Sequence, residues 1–231
     1  VADGRVKDFS YALIPMLADA ITPDAAVEQI IDGIRAPHEA MLTTELGRTE
    51  GLLYRRGTFA GTLDDLICDA VLAQRDAEIA FSPGFRWGPS LLAGQAITWE
   101  DIYNATAITY PAVYRIAMNG AAIKATLEGV ADNLFYPDPY LQQGGDMVRV
   151  GGMGFTVHVD RALGSRISNL HLLRSGTALE AEKDYVVAGW ASINEDTQGP
   201  PIWDVVAAHV KGRPMVPLQG GQSVKFVRAG N

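Results

Sequence analysis

The sequence predicts a mixed α/β (α+β) domain over residues 42–231, built as a mixed sheet with flanking helices. Residues 1–41 form an inter-domain lead-in of one strand and one helix. Three observations predict this. Nearly half of the chain is hydrophobic, 48%, against 20% charged, enough apolar material for a core. Short apolar runs with strand character alternate with runs at helical spacing. Gly, Pro and Asn separate most of these runs. Taken in order, Phe9 to Leu17 reads as a strand interrupted at Pro15. Asp24 can cap a helix carrying Val27, Ile30, Ile31 and Ile34 on one face, stopped by Pro37. That face must pack against the rest of the chain or against a neighbouring domain. Thr62-Leu63-Asp64-Asp65 reads as a capping box ahead of a buried face of Leu66, Ile67, Ala70, Val71 and Ala73. Glu78 to Phe81 is a short strand broken by Ser82-Pro83-Gly84, and Thr98-Trp99-Glu100-Asp101 is a second box. Val113 to Met118 reads as a strand, and Asn119-Gly120 turns into a helix over 121–130. Pro137 to Gly154, with glycines at 144, 145, 151, 152 and 154, reads as one long loop, and long loops tend to be functional. Beyond it come a half-buried strand at Phe155 to Val159, strands at Ile167 to Leu173 and Tyr185 to Ala191, a helix from Pro201 to Val210 and a closing strand at Val224 to Val227.

Composition narrows function. A net charge of −8 argues against nucleic acid, where affinity comes mainly from Lys and Arg on phosphates. No apolar run reaches the roughly 18 residues of a membrane span. The single cysteine, Cys68, permits no internal disulfide and no cysteine metal cluster, and it reads as an inert buried thiol. The opening Val1-Ala2-Asp3-Gly4-Arg5 carries no signal peptide and reads as the edge of a fragment. His38, His158, His171 and His209 lack second ligands at metal spacing and read as structural. There is no Gly-x-Ser-x-Gly elbow, P-loop or dinucleotide fingerprint.

What remains is arginine beside glycine. Arg55-Arg56-Gly57, Gly84-Phe85-Arg86-Trp87-Gly88 and Asp146-Met147-Val148-Arg149 each place a planar fork of donors in a loop, a pattern suited to tetrahedral oxyanions. Pairing with surface carboxylates is the plainer alternative, and spacing does not separate the two. Trp87 and Tyr110, both in loops, either line a cleft or decorate the surface; Trp190 and Trp203 read as core.

Six strings in order then carry a resemblance over nearly the whole chain. They are Leu53-Tyr54-Arg55-Arg56-Gly57, Asp65-Leu66-Ile67-Cys68-Asp69-Ala70, Ser82-Pro83-Gly84-Phe85-Arg86-Trp87-Gly88, Tyr103-Asn104-Ala105-Thr106-Ala107, the run 143–152 and the run 187–192. The chain resembles the C-terminal domain of the 5′-nucleotidase family, and within it the SoxB thiosulfohydrolases of bacterial sulfur oxidation. In that family an N-terminal metallophosphatase domain holds two metal ions, and the C-terminal domain holds the substrate. The resemblance therefore implies two manganese ions bound outside this chain, none within it, and no turnover by this chain alone. It implies a periplasmic location and hydrolysis of a cysteine S-thiosulfonate on the SoxYZ carrier protein, releasing sulfate. Arg86 falls on the family's anion-binding arginine, although the Asn that opens that segment reads Phe81 here. Arg55 or Arg56 matches a second family arginine, with Arg149 and Asp146 as further candidates and the stretch 140–154 and Trp87 as channel walls. Of the nucleoside clamp, Thr109-Tyr110 stands near one aromatic position, and Asn194-Glu195-Asp196-Thr197-Gln198-Gly199 replaces the ribose-binding string. A nucleotidase or cyclic-nucleotide phosphodiesterase half is the alternative this departure weakens.

Overall fold

The computed structural model describes residues 4–15, 17, 20–55, 57–85, 87–194, 196–211, 213, 215–217 and 224–228. The chain divides into two units, residues 1–41 and 42–231. In the first, α1 (Ala25–Arg35) begins as its sequence predicts, with the Asp24 carboxylate accepting from the Ala26 and Val27 amides. Val27, Ile30, Ile31 and Ile34 are exposed. The strand expected at Phe9 to Leu17 does not form: residues 9–15 are irregular and exposed, and a strand without a partner leaves its ladder groups unpaired. A one-turn helix, α2 (Glu39–Leu42), leads into the second unit.

In the second unit β1 (Glu45–Thr49) precedes α3 (Thr62–Arg75) and β2 (Ile79–Ser82). Then come β3 (Ala96–Thr98), α4 (Trp99–Thr106), β4 (Tyr114–Asn119) and α5 (Gly120–Leu134). They are followed by β5 (Arg149–Gly151), β6 (Met153–His158), β7 (Ile167–Leu172) and β8 (Asp184–Gly189). The chain closes with α6 (Ile202–Lys211), β9 (Met215–Val216) and β10 (Val224–Val227). The main sheet runs β4-β8-β2-β5, with β8 and β2 parallel and both outer pairs antiparallel. Two three-stranded sheets, β3-β1-β9 and β10-β6-β7, accompany it.

Strand alternation sorts the interior into two cores. Ala80 and Ala188 face a cluster with Leu66, Ile67, Val71, Ile102, Val206 and Val210 from α3, α4 and α6. Ile79, Phe81, Tyr185 and Val187 face the opposite cluster, with Ile123 and Leu127 of α5 and Phe155 and Val157 of β6. The main sheet is therefore covered on both faces. β6 is buried on both faces too, which corrects the half-buried expectation: Thr156 is interior beside Phe155 and Val157.

Two caps differ in outcome. Thr98 and Asp101 form the reciprocal box that their spacing predicts at the start of α4. At α3 the cap residue is Gly61, and Thr62 is already helical. Its hydroxyl instead accepts from the Tyr54 amide and donates to the Leu52 carbonyl, tying the preceding loop to the helix. α5 starts on the Asn119 side chain, as the Asn-Gly pair suggests, and outlasts the expected helix by one turn. The long loop is shorter than its glycines imply. A 3₁₀ turn occupies Pro139–Leu141, and Gly151 and Gly154 lie in strands. Gly152 lets the chain step from one sheet to the next: its φ is 73°, and a Cβ there would run into the Glu78 carbonyl.

Candidate functional site

Strand direction brings the candidate loops together. β2 and β8 are parallel, so both leave the sheet at one edge, at Pro83 and at Trp190. β5 runs against β2 with Ser82 opposite Arg149, so residues 146–148 arrive at the same edge. β4 runs against β8 with Tyr114 opposite Gly189, so residues 110–113 do as well. Ligands of open α/β sheets collect outside the carboxyl ends of parallel strands, where loops diverge. The Trp190 indole donates to the Ser82 hydroxyl at 2.9 Å and so joins the ends of the two central strands.

The arginines at this edge are not alike. Arg55 is 1% exposed, with Nε 2.7 Å from Asp64 Oδ1. Its Nη1 donates to the Ala105 carbonyl at 2.6 Å and its Nη2 to the Pro83 carbonyl at 3.1 Å. Arg149 is 2% exposed, with Nε 3.1 Å from Asp64 Oδ2, an ion pair that is not aligned as a hydrogen bond. Its terminal nitrogens donate to the Thr58 and Gly57 carbonyls, and Nη2 lies 3.4 Å from Asp146. The expectation that Arg55 and Arg149 offer open forks to an oxyanion is thereby corrected. Their donors are turned inward, because loop carbonyls without ladder partners need them there. Asp146 is buried within the same cluster. Arg56 and Arg86 lie outside the described residues.

Trp87 is 42% exposed and stacks on Phe85, with ring centroids 3.7 Å apart. Phe85 meets Trp190 edge-on at 5.9 Å, and the Arg55 guanidinium stands 5.7 Å from the Phe85 centroid. An aromatic ladder thus runs from the interior at Trp190 to solvent at Trp87. Gly84 permits it to sit close: a Cβ there would lie 2.5 Å from the Met147 carbonyl oxygen and 2.8 Å from that of Asp146. Tyr110 is exposed at the same edge. Beside the ladder opens a cleft of about 690 Å³, lined by Tyr114, Arg115, Ile116, Trp190 and residues 191–194 and 196–198. None of the described candidates from the sequence lines this cleft. Ala191 takes a left-handed φ of 62° where the wall begins, an unusual conformation for a residue with a Cβ.

Burial dominates the site's titrations. It raises the Asp64 carboxyl, while the Arg55 and Arg149 guanidinium groups pull the other way. Asp65 is pushed up to about 7, first by burial and then by the neighbouring Asp64 and Asp69 carboxylates. Burial raises the Tyr114 phenol and lifts the Cys68 thiol well above its ordinary value, as an inert interior thiol requires. His158 lies 2.8 Å from the Ser168 hydroxyl and His171 2.8 Å from the Asn169 carbonyl, both local contacts. Among the described residues no three His, Cys, Asp or Glu side chains gather in a metal-holding group. No helix among them is long and apolar enough to cross a membrane.

Asp64 is the member of the cluster that motif reading passed over. It shares a helix face with Ile67, Cys68 and Val71, at spacings of three, four and seven. An acid on an apolar face requires a partner, and that was the available signal.

The family described as "5′-nucleotidase, C-terminal domain" matches residues 45–204. The sulfate thiohydrolase SoxB of Thermus thermophilus, solved with glycerol, is 34% identical with a TM-score of 0.86, over 94% of this chain and 41% of that one. A 5′-nucleotidase precursor, also from Thermus thermophilus, is 19% identical with a TM-score of 0.73, over 90% of this chain and 44% of the other. The Haemophilus influenzae NAD nucleotidase is 15% identical with a TM-score of 0.68, over 89% and 42%, and at such identities the likeness is one of fold. The chain thus spans less than half of the solved chains it matches. No curated protein sequence matches it. With the matched segment covering most of the second unit, and the solved relatives sharing its fold, the chain belongs to the 5′-nucleotidase family as a C-terminal domain.

Proposed function

We propose that this chain is the substrate-binding domain of a periplasmic thiosulfohydrolase, which releases sulfate from a cysteine S-thiosulfonate on the SoxYZ carrier. The observation that carries the reading is the 34% identity to SoxB over 94% of the chain, against 15–19% for the nucleotidases. The sequence supports it as well: Asn194-Glu195-Asp196-Thr197-Gln198-Gly199 stands where the family's nucleotidases carry their ribose-binding string. A terminal sulfonate is tetrahedral and anionic like a phosphate, so an arginine cradle serves both chemistries. Arg86 is the residue proposed to bind it, and Trp87 to flank the carrier's arm. Arg56 is an assisting candidate. The two manganese ions would be held by a metallophosphatase domain outside this chain and would supply the activated water.

The test is sulfate release by the intact protein with manganese, using SoxYZ that carries a cysteine S-thiosulfonate, alongside phosphate release from AMP. Carrier-dependent sulfate without AMP hydrolysis is expected. AMP hydrolysis without sulfate release would replace this reading with the nucleotidase one. Arg86→Ala should raise KM for the carrier by about tenfold or more, the effect of losing one charged hydrogen bond worth roughly 1.5–3 kcal/mol, with little change in melting temperature.

A further inference from the structure

Asp64, in the first turn of α3, lies between two buried guanidinium groups. Its Oδ1 stands 2.7 Å from Arg55 Nε and its Oδ2 3.1 Å from Arg149 Nε, and all three side chains are 1–2% exposed. Arg55 donates Nε to Asp64 and Arg149 pairs with it by charge alone, and both give their terminal nitrogens to backbone carbonyls: Ala105 and Pro83 for one, Thr58 and Gly57 for the other. One carboxylate thus sets the orientation of two rigid forks, and the forks fix four points, on two separate loops and on the last turn of α4. Buried ion clusters are poor sources of stability, because desolvation offsets most of their attraction. What this one supplies is a defined separation between loop bases that no ladder holds.

The loop tied at Pro83 is the one that carries the aromatic ladder. Arg55 binds the Pro83 carbonyl and stands against the Phe85 ring, Phe85 stacks on Trp87, and Phe85 abuts Trp190 in the cleft wall. We propose that Asp64 is a positioning residue for the substrate-binding edge, holding the Phe85–Trp87 platform in register with the cleft through Arg55 and Arg149. The proposal rests on reading that edge as the substrate-binding face.

The test separates the two. The intact protein is labelled with 5-fluorotryptophan, giving ¹⁹F resonances for Trp87, Trp99, Trp190 and Trp203 that single Trp→Phe variants assign. Asp64→Asn should move the Trp87 and Trp190 resonances and leave Trp99 and Trp203 in place. Val71→Ala, a truncation on the same helix, should move neither of the first two. Arg55→Lys keeps a charge for Asp64 but cannot reach both carbonyls; it should displace Trp87 even if Asp64→Asn fails to fold, and Asp64→Glu should restore the Trp87 position in part. In turnover, the same variants should raise KM for the S-thiosulfonated carrier about tenfold and leave kcat within about threefold. Unmoved Trp87 in Arg55→Lys, or equal movement of all four resonances in Asp64→Asn, overturns the positioning role. Displaced Trp87 in a protein that never turns over the carrier upholds that role and removes the thiosulfohydrolase reading.

Discussion

Replacing Arg55 by Met asks whether this arginine supports the fold or waits for a ligand. Methionine nearly fills the space of the arginine stem, so the change is mainly electrostatic and polar. The guanidinium leaves behind Asp64 at 2.7 Å and the Ala105 and Pro83 carbonyls at 2.6 and 3.1 Å. Removing one partner of a buried pair costs about 3–5 kcal/mol. Each stranded buried carbonyl adds roughly 1–3 kcal/mol where no water reaches it. The sum overstates the loss, because Asp64 keeps Arg149 at 3.1 Å and the three contacts share one side chain. An effect of about 4 kcal/mol is expected, equivalent to a fall in Tm of roughly 8–16 °C for a unit of this size. Urea unfolding followed by far-UV circular dichroism at pH 8 measures it, as a lower midpoint at an unchanged slope. A loss under about 1 kcal/mol, the scale of an exposed ion pair, would refute the assignment and return Arg55 to the candidates for anion binding.

Other consequences follow from the same geometry. Asp65, at about 7 in the folded chain, binds more protons folded than unfolded above its ordinary pKa of 3.8; its contribution to stability falls as pH rises from 3.8 to about 7, and Asp65→Asn should remove that fall from a Tm–pH profile. His209, held down to about 4 by burial and by Arg213, is neutral when folded and protonated when unfolded below its ordinary 6.5; its contribution falls as pH drops from 6.5 towards 4, and His209→Gln should flatten the acid side. Gly84→Ala sets a Cβ against two carbonyl oxygens of the facing loop and should lower Tm while shifting Trp87 fluorescence; an unchanged spectrum would show that the loops do not meet in solution. Cys68 should react with a thiol reagent only as fast as the chain unfolds, and rapid labelling under native conditions would contradict its interior placement.

Local and periodic features were legible in the sequence for a physical reason. A cap such as Thr98–Asp101 or Asn119 is decided within four residues, and a strand such as β2 is set by its own apolar run. What was not legible depends on partners distant in the chain. Whether Phe9 to Leu17 becomes a strand turns on a neighbour to pair with, which its own pattern does not encode. The arginine–glycine strings marked the correct loops, yet Arg55 meets Ala105 and Arg149 meets Thr58, contacts that adjacent residues cannot announce. Asp64 stood unassigned inside a string read for the box spacing of Thr62 and Asp65. Its place on the Ile67–Val71 face, given equal weight, would have pointed inward.

The division of labour at this edge also bears on substrate choice. A family that binds an anion through arginine could have turned Arg55 and Arg149 towards solvent, since both sit at loop bases beside the cleft. Here they are neutralised inside by Asp64 and Asp146, and what the described part of the edge presents outward is aromatic at Trp87 and Tyr110, polar-uncharged at Ser192, Asn194 and Thr197, and of opposite charge at Arg115 and Asp196. Such a surface contributes shape and stacking more than field. It suits an uncharged, flexible peptide arm laid across the platform better than a free anion drawn in by long-range attraction, which an overall charge of −8 would oppose. Binding through Trp87 should therefore depend weakly on salt, and capture of the terminal sulfonate strongly. With carrier at subsaturating concentration, the loss caused by Trp87→Ala should persist from about 0.05 to 0.5 M salt, whereas that caused by Arg86→Ala should shrink as screening weakens the wild-type interaction. Equal salt sensitivity in both variants would mean that the platform and the anion cradle are one site.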